Sequence, residues 1–596
     1  MSPGAGRFFT LRFPHLDREI PASGGETIYE SARRGGVRIV GACGGRGSCG
    51  TCMVRVVAGK MDRRHGTKWV RACQLRPRSD CVLELAPRST APVVRSVEAG
   101  TGAESLEIAP AVVSRDVAVP QASLSDPRAD ADRLLGALAP LPVDRLDLSA
   151  ARRLPQMLHR ERGSLRARLR GSELIGVAAT GSPALGLAVD LGTSNAAAFL
   201  VDLERGSCLA SLGIENPQVA WGADVISRIN HAIGSPEAAA ELRTAAVAAI
   251  NALAHDLCRA VHAKTEDIVD LVVCGNTAMQ HLLLGLPVRQ LGRAPFVAAV
   301  REALEVKARD LGLAICPGAY VHLAPTIGGF VGGDHVTALL ATEDRWAKTT
   351  TSVVMDIGTN TEVSLYHRGE LVSASCPSGP ALEGGHISCG MRAAEGAIER
   401  VALRDGEIVI KVIGGTEPVG LCGSGVLDAL ATLRRCGAVS ERGRIVAHHP
   451  LVREDHGKRA ALLAPGVAFT QEDVRAVQLA KAAIRTCTEM LLEQAGIEAA
   501  SIERFIIAGA FGAYLDVQSG VAIGLFPDLP AARFAQVGNA AGAGVRQMLA
   551  STHARRRAAQ LACRCRYLEL STLPGFQKSF LNRIGFDPIH AARNPS

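Results

Sequence analysis

Residues 186–206 read GLAVDLGTSNAAAFLVDLERG, and residues 352–371 read SVVMDIGTNTEVSLYHRGEL. Each is an apolar strand that ends in an acidic residue, Asp190 or Asp356, then a Gly-Thr turn, then a second strand. A strand-end carboxylate followed by glycine and short hydroxyls suits a magnesium-bound phosphate, because backbone N–H groups and small side chains can approach its oxygens closely. One such turn says little, since a strand-end carboxylate can also simply cap a turn. Its return 166 residues later points to an internal duplication of a phosphate turn. Downstream, residues 503–516 (ERFIIAGAFGAYLD) form an apolar strand followed by Gly509 and Gly512 at a helix start, which suits close approach of backbone to a nucleotide.

A second chemistry stands near the N-terminus. Residues 41–52, GACGGRGSCGTC, place Cys43, Cys49 and Cys52 in one glycine-rich loop, and Cys73 follows in VRACQ. Four thiolates in a Cys-x5-Cys-x2-Cys pattern with a late fourth suit two irons. The glycines let the chain fold back tightly around the inorganic core, because glycine tolerates positive φ without a Cβ clash. Zinc also takes thiolate tetrads, but its pairs normally come as two separated short-spaced knuckles. The loop therefore reads as a [2Fe-2S] site. Cys81 lies inside a later strand, CVLELAP, and reads as core. Cys563 and Cys565 alone cannot supply a second cluster, so one cluster per chain is expected.

At 596 residues the chain is too long for one core and should divide into several domains. With 47% hydrophobic and 21% charged residues it has the composition of a globular protein. No apolar run suggests a signal peptide or membrane helix, which implies no membrane association and a cytoplasmic location. Residues 1–90 hold sixteen Lys or Arg against seven Asp or Glu, a net of +9, so the other 506 residues sum to about −1. That positive field lacks interleaved aromatics or a nucleic-acid motif, which argues against nucleic acid and for docking on an acidic protein.

In chain order, RFFTLRF (7–13) is a strand, and GETIYESARRGGV (25–37) is a short helix opened near Thr27 and closed by Gly35 and Gly36. After the cysteine loop, MVRVVAG and CVLELAP are strands again. This succession resembles the β-grasp ferredoxins, with a spacing closer to the adrenodoxin type than to the plant type. The expected division is a ferredoxin-like domain over 1–88, a flexible linker over 89–126 rich in Ala, Pro, Ser and Val, a small middle domain over 127–184, and an ATPase domain over 185–596. A tether of this kind lets a cluster domain move between donor and acceptor while keeping its effective concentration high.

The two DxGT turns and the later glycine loop, in this order, resemble the actin, sugar-kinase and heat-shock-chaperone ATPase superfamily, in which two related α/β halves close over ATP. By that resemblance Asp190, Gly192, Thr193 and Ser194 form the first phosphate loop, and Asp356, Gly358, Thr359 and Asn360 form the second. Gly509 and Gly512, with Gly423 and Gly425 of GLCGSGVLDAL, would line the cleft or its hinge; ordinary helix and strand packing explains these glycines equally well.

The whole assembly, a multidomain α/β and α+β chain with β-grasp ferredoxin, linker, middle domain and duplicated ATPase, resembles the reductive activators of corrinoid-dependent enzymes. The resemblance rests further on ENPQVAWGADVISRI (215–229), VVCGNTAMQHLLLGL (272–286), SGPALEGGHISCGMRAAEGAIE (378–399), LAKAAIRTCTEMLL (479–492), VGNAAGAGV (537–545) and YLELSTLPGFQKSF (567–580). In the third of these the family's usual Ala-Gly-Pro-Ala-Phe-Glu-Gly carries Ser378 and Leu382, and Glu383 keeps its place. The resemblance implies an enzyme that uses ATP and Mg2+ to drive one-electron reduction of an inactive Co(II) corrinoid protein to Co(I) by the cluster. An upstream donor, a ferredoxin or a flavoprotein reductase, would reload it, and a homodimer fits relatives that often pair. Catalytic roles fall to Asp190, Asp356 and Glu383, while His281 and His386 are given none. Two rival readings are a redox-sensing small-molecule kinase and a nucleotide-switched binding module. A third, the ATP-driven electron injector of radical dehydratases, lacks an N-terminal ferredoxin domain.

Overall fold

The computed structural model describes residues 8–37, 39, 45, 47, 52–63, 69–86, 94–95, 106–455, 458–509, 512 and 514–587. The N-terminal unit is a five-stranded sheet in the order Arg18–Ser23, Phe8–Phe13, Cys81–Leu85, Met53–Ala58, Val70–Arg71. Across it lies the helix Ile28–Arg34. Thr27 caps that helix through a reciprocal pair with Glu30, the hydroxyl accepting from the Glu30 N–H and the carboxylate accepting from the Thr27 N–H. Leu11, Phe13, Ile28, Ala32, Val54 and Leu83 close its core. Cys81 belongs to that core, as the sequence implies, with its thiol on the Ser79 and Lys60 carbonyls.

The two DxGT repeats build two sheets of matching topology. In the first, Leu185–Leu191 pairs antiparallel with Asn195–Asp202 and parallel with Ile268–Cys274. In the second, Thr351–Ile357 pairs antiparallel with Thr361–His367 and parallel with Arg504–Ala508. Asp190 and Asp356 occupy the same penultimate position of their central strands, opposite Cys274 and Ala508. A strand buried on both faces needs an apolar run, which LGLAV and the VVM of TSVVM supply, while the buried hydroxyls of Thr351 and Ser352 bond His367 and Thr349. The chain then returns: helices Ala540–Ala550 and Thr552–Arg564, late in sequence, pack on the first sheet, where Val545, Met548 and Leu549 join the Leu187 and Val272 core.

Between the N-terminal unit and these sheets in chain order comes a four-stranded sheet, Val113–Ala118, Ser164–Arg170, Glu173–Ala179 and Arg145–Leu146, covered by helices Asp130–Ala137 and Leu148–Arg160. Its edge strand Val113–Ala118 falls inside the stretch read from sequence as linker. So does Val94–Arg95, which adds a seventh strand to the first ATPase sheet beside Ala210 and Ser211. The Ala109 N–H further bonds the Ala550 carbonyl at 2.9 Å. These segments are single edge strands whose partners lie far along the chain, so composition alone reads them as tether. Among the described residues no helix is long and apolar enough to cross a membrane.

Candidate nucleotide cleft and cysteine site

The first Asp-x-Gly-Thr turn is held from behind. Asn216 donates from Nδ2 to the Gly192 carbonyl at 2.7 Å and from its backbone to the Ser194 carbonyl at 2.9 Å. The buried Arg228 donates to the Thr193 carbonyl at 2.6 Å, and Asn276 donates to Thr193 Oγ1 at 2.9 Å. With these carbonyls turned into the protein, the N–H groups that follow them point the opposite way, as a phosphate site requires. The second turn is built alike: Ser378 Oγ donates to the Gly358 carbonyl at 3.0 Å and the Gly379 N–H to the Thr359 carbonyl at 2.9 Å. Ser378, a departure from the family's usual alanine, thus takes up a turn carbonyl.

The turns meet. Ser194 Oγ and Thr359 Oγ1 stand 2.7 Å apart, and Thr359 donates on to Glu383 Oε1 at 3.2 Å. Burial raises the Glu383 carboxyl above its ordinary range against the Thr359 bond and the charge of Arg392. Beneath the turns lie three recessed carboxylates whose edges still reach solvent. Burial lifts Asp190 to about 6 against hydrogen bonds from Asn539 and Cys274. Burial and the charge of Asp190 lift Asp334 to about 7, and burial with the charges of Asp334 and Asp190 lifts Asp356 to about 8. Glu362, opposite Asp356 across the strand pair, is raised for the same reasons. Among the described residues no lysine or arginine pairs with these three aspartates. Carboxylate oxygens without a cation are hard donors of the kind Mg2+ takes, but among the described residues no three His, Cys, Asp or Glu stand so that they could hold a metal ion by themselves.

Gly509 has φ +96, and a Cβ added there would stand 2.3 Å from the Ile357 carbonyl and 3.0 Å from Asp356 Oδ1. The glycine keeps the cleft wall open beside the second turn. Gly512 sits one step back, its carbonyl held by Gln536 at 2.6 Å. Asn360 completes the second turn opposite Gly358. Gly423 and Gly425 open the helix Gly423–Arg435, where Gly425 lets the helix approach the Ile398 carbonyl, 2.1 Å from an added Cβ. Packing accounts for that glycine. His281 is a satisfied core residue between the Thr277 carbonyl and the Ala299 N–H.

Asp334, Asn276 and Asn539 escaped the sequence reading as site residues. Asn276 and Asn539 each cap a helix, bonding the N–H of Met279 and of Gly542, and turn the rest of the amide to Thr193 and Asp190. The signals were present in CGNTAMQ, GGFVGGDHV and VGNAAGAGV, glycines flanking a polar residue at a helix start.

In the N-terminal unit Cys43 and Cys49 lie outside the described residues. Cys52 Sγ and Cys73 Sγ stand 3.4 Å apart, both buried. Two thiolates on one tetrahedral metal, at metal–sulfur bonds of about 2.3 Å, stand ~3.7 Å apart, so the pair fits shared or neighbouring ligation. Gly45 and Gly47 take φ +85 and +82, the tight turning expected of a cluster loop.

Comparison with known proteins accounts for all of these parts. The 2Fe-2S iron-sulfur cluster binding domain family matches residues 15–78, the RACo linker region 101–181, the RACo middle region 185–344, and the C-terminal domain of RACo, the ASKHA domain, 350–594. The chain is 33% identical over 598 residues to the corrinoid activation enzyme RamQ of Eubacterium limosum, covering 96% of this chain and 98% of the relative. It is 28% identical to a Co(II) methylated amine-specific corrinoid protein reductase of Methanosarcina barkeri over 61% of this chain and 69% of that one. A solved reductive activator for corrinoid, iron-sulfur protein superposes with a TM-score of 0.73 at 31% identity, covering 97% of this chain and 98% of that one. With a third of its residues shared across nearly the full length of a relative, and all four regions in order, the chain belongs to the RACo family, the reductive activators of corrinoid-dependent enzymes.

Proposed function

We propose that the protein restores a corrinoid protein from the inactive Co(II) state to Co(I), with ATP binding or hydrolysis in the cleft biasing the one-electron transfer. The observation that carries this reading is the meeting of two phosphate turns over an uncompensated carboxylate floor, in a chain whose N-terminal unit brings two cluster thiols within 3.4 Å.

Cys43, Cys49, Cys52 and Cys73 would hold the [2Fe-2S] cluster, which when bound supplies the single electron. Asp190 and Asp356, together with the nucleotide's phosphates, would hold Mg2+, which supplies the positive charge the floor lacks. The residues of the chain do the rest. Thr193, Ser194, Thr359 and Asn360 hold phosphate oxygens through N–H groups and hydroxyls, as the held-back carbonyls allow. Asp190, ionised at neutral pH and fixed by Asn539, orients the attacking water and accepts its proton, so that ATP and water give ADP and phosphate. Glu383, bonded to Thr359, registers the second turn against the first. Gly509 admits the nucleotide beside Asp356. The basic N-terminal unit meets an acidic electron donor, a ferredoxin or flavoprotein reductase, and the reaction belongs in the cytoplasm, where thiols stay reduced.

The test is an anaerobic mixture of the reduced protein with Co(II) corrinoid proteins, followed by visible absorption with and without Mg-ATP. Loss of the Co(II) band and growth of the Co(I) band only with ATP is the expected result. Reduction equally fast and complete without ATP, or no reduction of any candidate despite an intact reduced cluster, overturns it.

A further inference from the structure

One carboxylate joins three parts of the chain that the fold could have left separate. Glu215 ends the strand Cys208–Glu215 of the first ATPase half. Its Oε2 accepts from Tyr29 Oη at 3.1 Å and from Arg33 Nη1 at 3.2 Å, both on the helix of the ferredoxin unit. Its Oε1 accepts from Arg392 Nη2 of the second ATPase half at 2.7 Å. Arg33 and Glu215 are 14% and 13% exposed, so water screens this pair only in part.

Each arm continues to a site. On the ferredoxin side, the Tyr29 ring lies against the cysteine loop, 3.2 Å from where a Cβ on Gly45 would sit, and that position is 3.9 Å from Cys73 Cβ. On the first half, Glu215 faces Asn195 across the strand pair, and the next residue, Asn216, holds the Gly192 and Ser194 carbonyls. On the second half, Arg392 acts on Glu383, which accepts from Thr359. Among the described residues the ferredoxin unit also rests on the first half through the helix Ile28–Arg34 against Pro217–Trp221, through Gly36 against Ala248 and Ala252, and through Arg259 Nη1 on the His15 carbonyl at 3.1 Å.

We propose that Glu215 is a positioning residue that couples nucleotide occupancy of the cleft to the grip on the ferredoxin unit. The inference rests on the reading of the cleft as a nucleotide site. In the structure Ser194 and Thr359 hydrogen-bond each other at 2.7 Å, so a phosphate group entering between the turns replaces that contact and shifts the second half, with Arg392, relative to the first. A hydrogen bond of 2.7 Å does not survive a displacement of about 1 Å. Loss of Arg392 reorients the carboxylate and weakens its hold on Tyr29 and Arg33, uncovering the side of the cysteine loop that Tyr29 occupies. Seven residues separate Ala86 from Val94 of the ATPase sheet, so the freed unit stays within ~28 Å of that strand. By linkage, whatever factor nucleotide takes from docking, docking takes from nucleotide affinity.

The experiment uses the full-length, cluster-loaded protein and adenylyl imidodiphosphate with Mg2+. Hydrogen exchange of residues 28–34 and calorimetric binding are measured on the same sample. In the native protein, saturating analogue is expected to speed exchange of 28–34 about tenfold. In Glu215→Gln, exchange is already fast without analogue, gains nothing from it, and the analogue binds tighter by about the same factor. Should Glu215→Gln fail to fold, Arg392→Met, a partly exposed side chain, carries the same comparison. Binding of the analogue with unchanged exchange at 28–34, or a full native response in the variants, overturns this inference and leaves the cleft assignment standing. Absence of any binding heat removes the cleft assignment and this inference with it.

Discussion

Arg555 and Asp270 form a buried ion pair whose disruption has a calculable cost. Asp270 lies in the strand Ile268–Cys274 beside the first phosphate strand and is fully buried; Arg555, on the helix Thr552–Arg564, is 6% exposed. Their Nη2 and Oδ2 stand 2.5 Å apart, and Arg555 Nε also bonds the Met548 carbonyl at 2.8 Å, which pins the helix pair 540–564 to the sheet. Removing one partner of a buried pair typically costs about 3–5 kcal/mol because the other charge stays desolvated. Arg555→Met is therefore expected to destabilise the first ATPase half, residues 185–344 with the helix pair 540–564, by ~4 kcal/mol. At about 2–4 °C per kcal/mol for a unit of 150–250 residues, the thermal midpoint falls by ~8–16 °C. The double variant Asp270→Leu with Arg555→Met removes both charges and recovers most of the loss, as replacement of whole buried pairs by apolar residues does. A functional consequence accompanies the stability loss: the same helix pair carries Asn539, which bonds Asp190, so Arg555→Met weakens binding of the ATP analogue in calorimetry well below the unfolding temperature. Scanning calorimetry and circular dichroism supply the midpoints. A loss under 1 kcal/mol for Arg555→Met, or a double variant no more stable than the single one, refutes the reasoning.

Gly509→Ala places a methyl group 2.3 Å from the Ile357 carbonyl at φ +96, a strain of about 1–3 kcal/mol, and lowers affinity for the ATP analogue at least tenfold by calorimetry. Cys52→Ser and Cys73→Ser, like Cys43→Ser and Cys49→Ser, bleach the visible iron-sulfur absorbance while far-ultraviolet circular dichroism of the ATPase body is kept. Asp334→Asn in metal-free buffer raises the thermal midpoint, because Asp334 carries a carboxyl lifted from 3.8 to about 7 by burial and by Asp190. A carboxyl raised in the folded state leaves stability intact below pH 4 and subtracts from it as pH rises towards 7. The gain of the Asn variant therefore grows across that window and flattens above it; a gain that shrinks with rising pH contradicts the assignment.

The strand-turn-strand repeats were legible because all their parts are neighbours in sequence: Asp190 with Gly192, Thr193 and Ser194, and Asp356 with Gly358, Thr359 and Asn360. The helix start at Thr27 was legible for the same reason, since Glu30 is three residues away. What sequence could not give was convergence. Asp334 reaches the floor from the start of the helix Gly333–Ala341, and nothing within its own segment distinguishes it from an N-terminal acid that stabilises a helix dipole. Asn276 and Asn539 read as helix caps, which they are, and their second bond exists only once distant elements are packed. Gly425 shows the opposite error: a glycine motif suggested ligand approach, and the close approach is to the Ile398 carbonyl. The edge strands Val94–Arg95 and Val113–Ala118 are short, and their pairing partners lie more than forty residues away.

The charge distribution also bears on how the two chemistries belong in one chain. A plant-type cluster sits near about −400 mV, and each further 100 mV uphill costs about 2.3 kcal/mol for one electron. Each pKa unit on a buried carboxyl corresponds to about 1.4 kcal/mol. Asp190, Asp334 and Asp356 stand at about 6, 7 and 8 against 3.8. Burial and mutual repulsion disfavour the charged forms of all three together, so a cation arriving with nucleotide would favour them at once, and in the proposed coupling Glu215 carries that change to the cysteine loop.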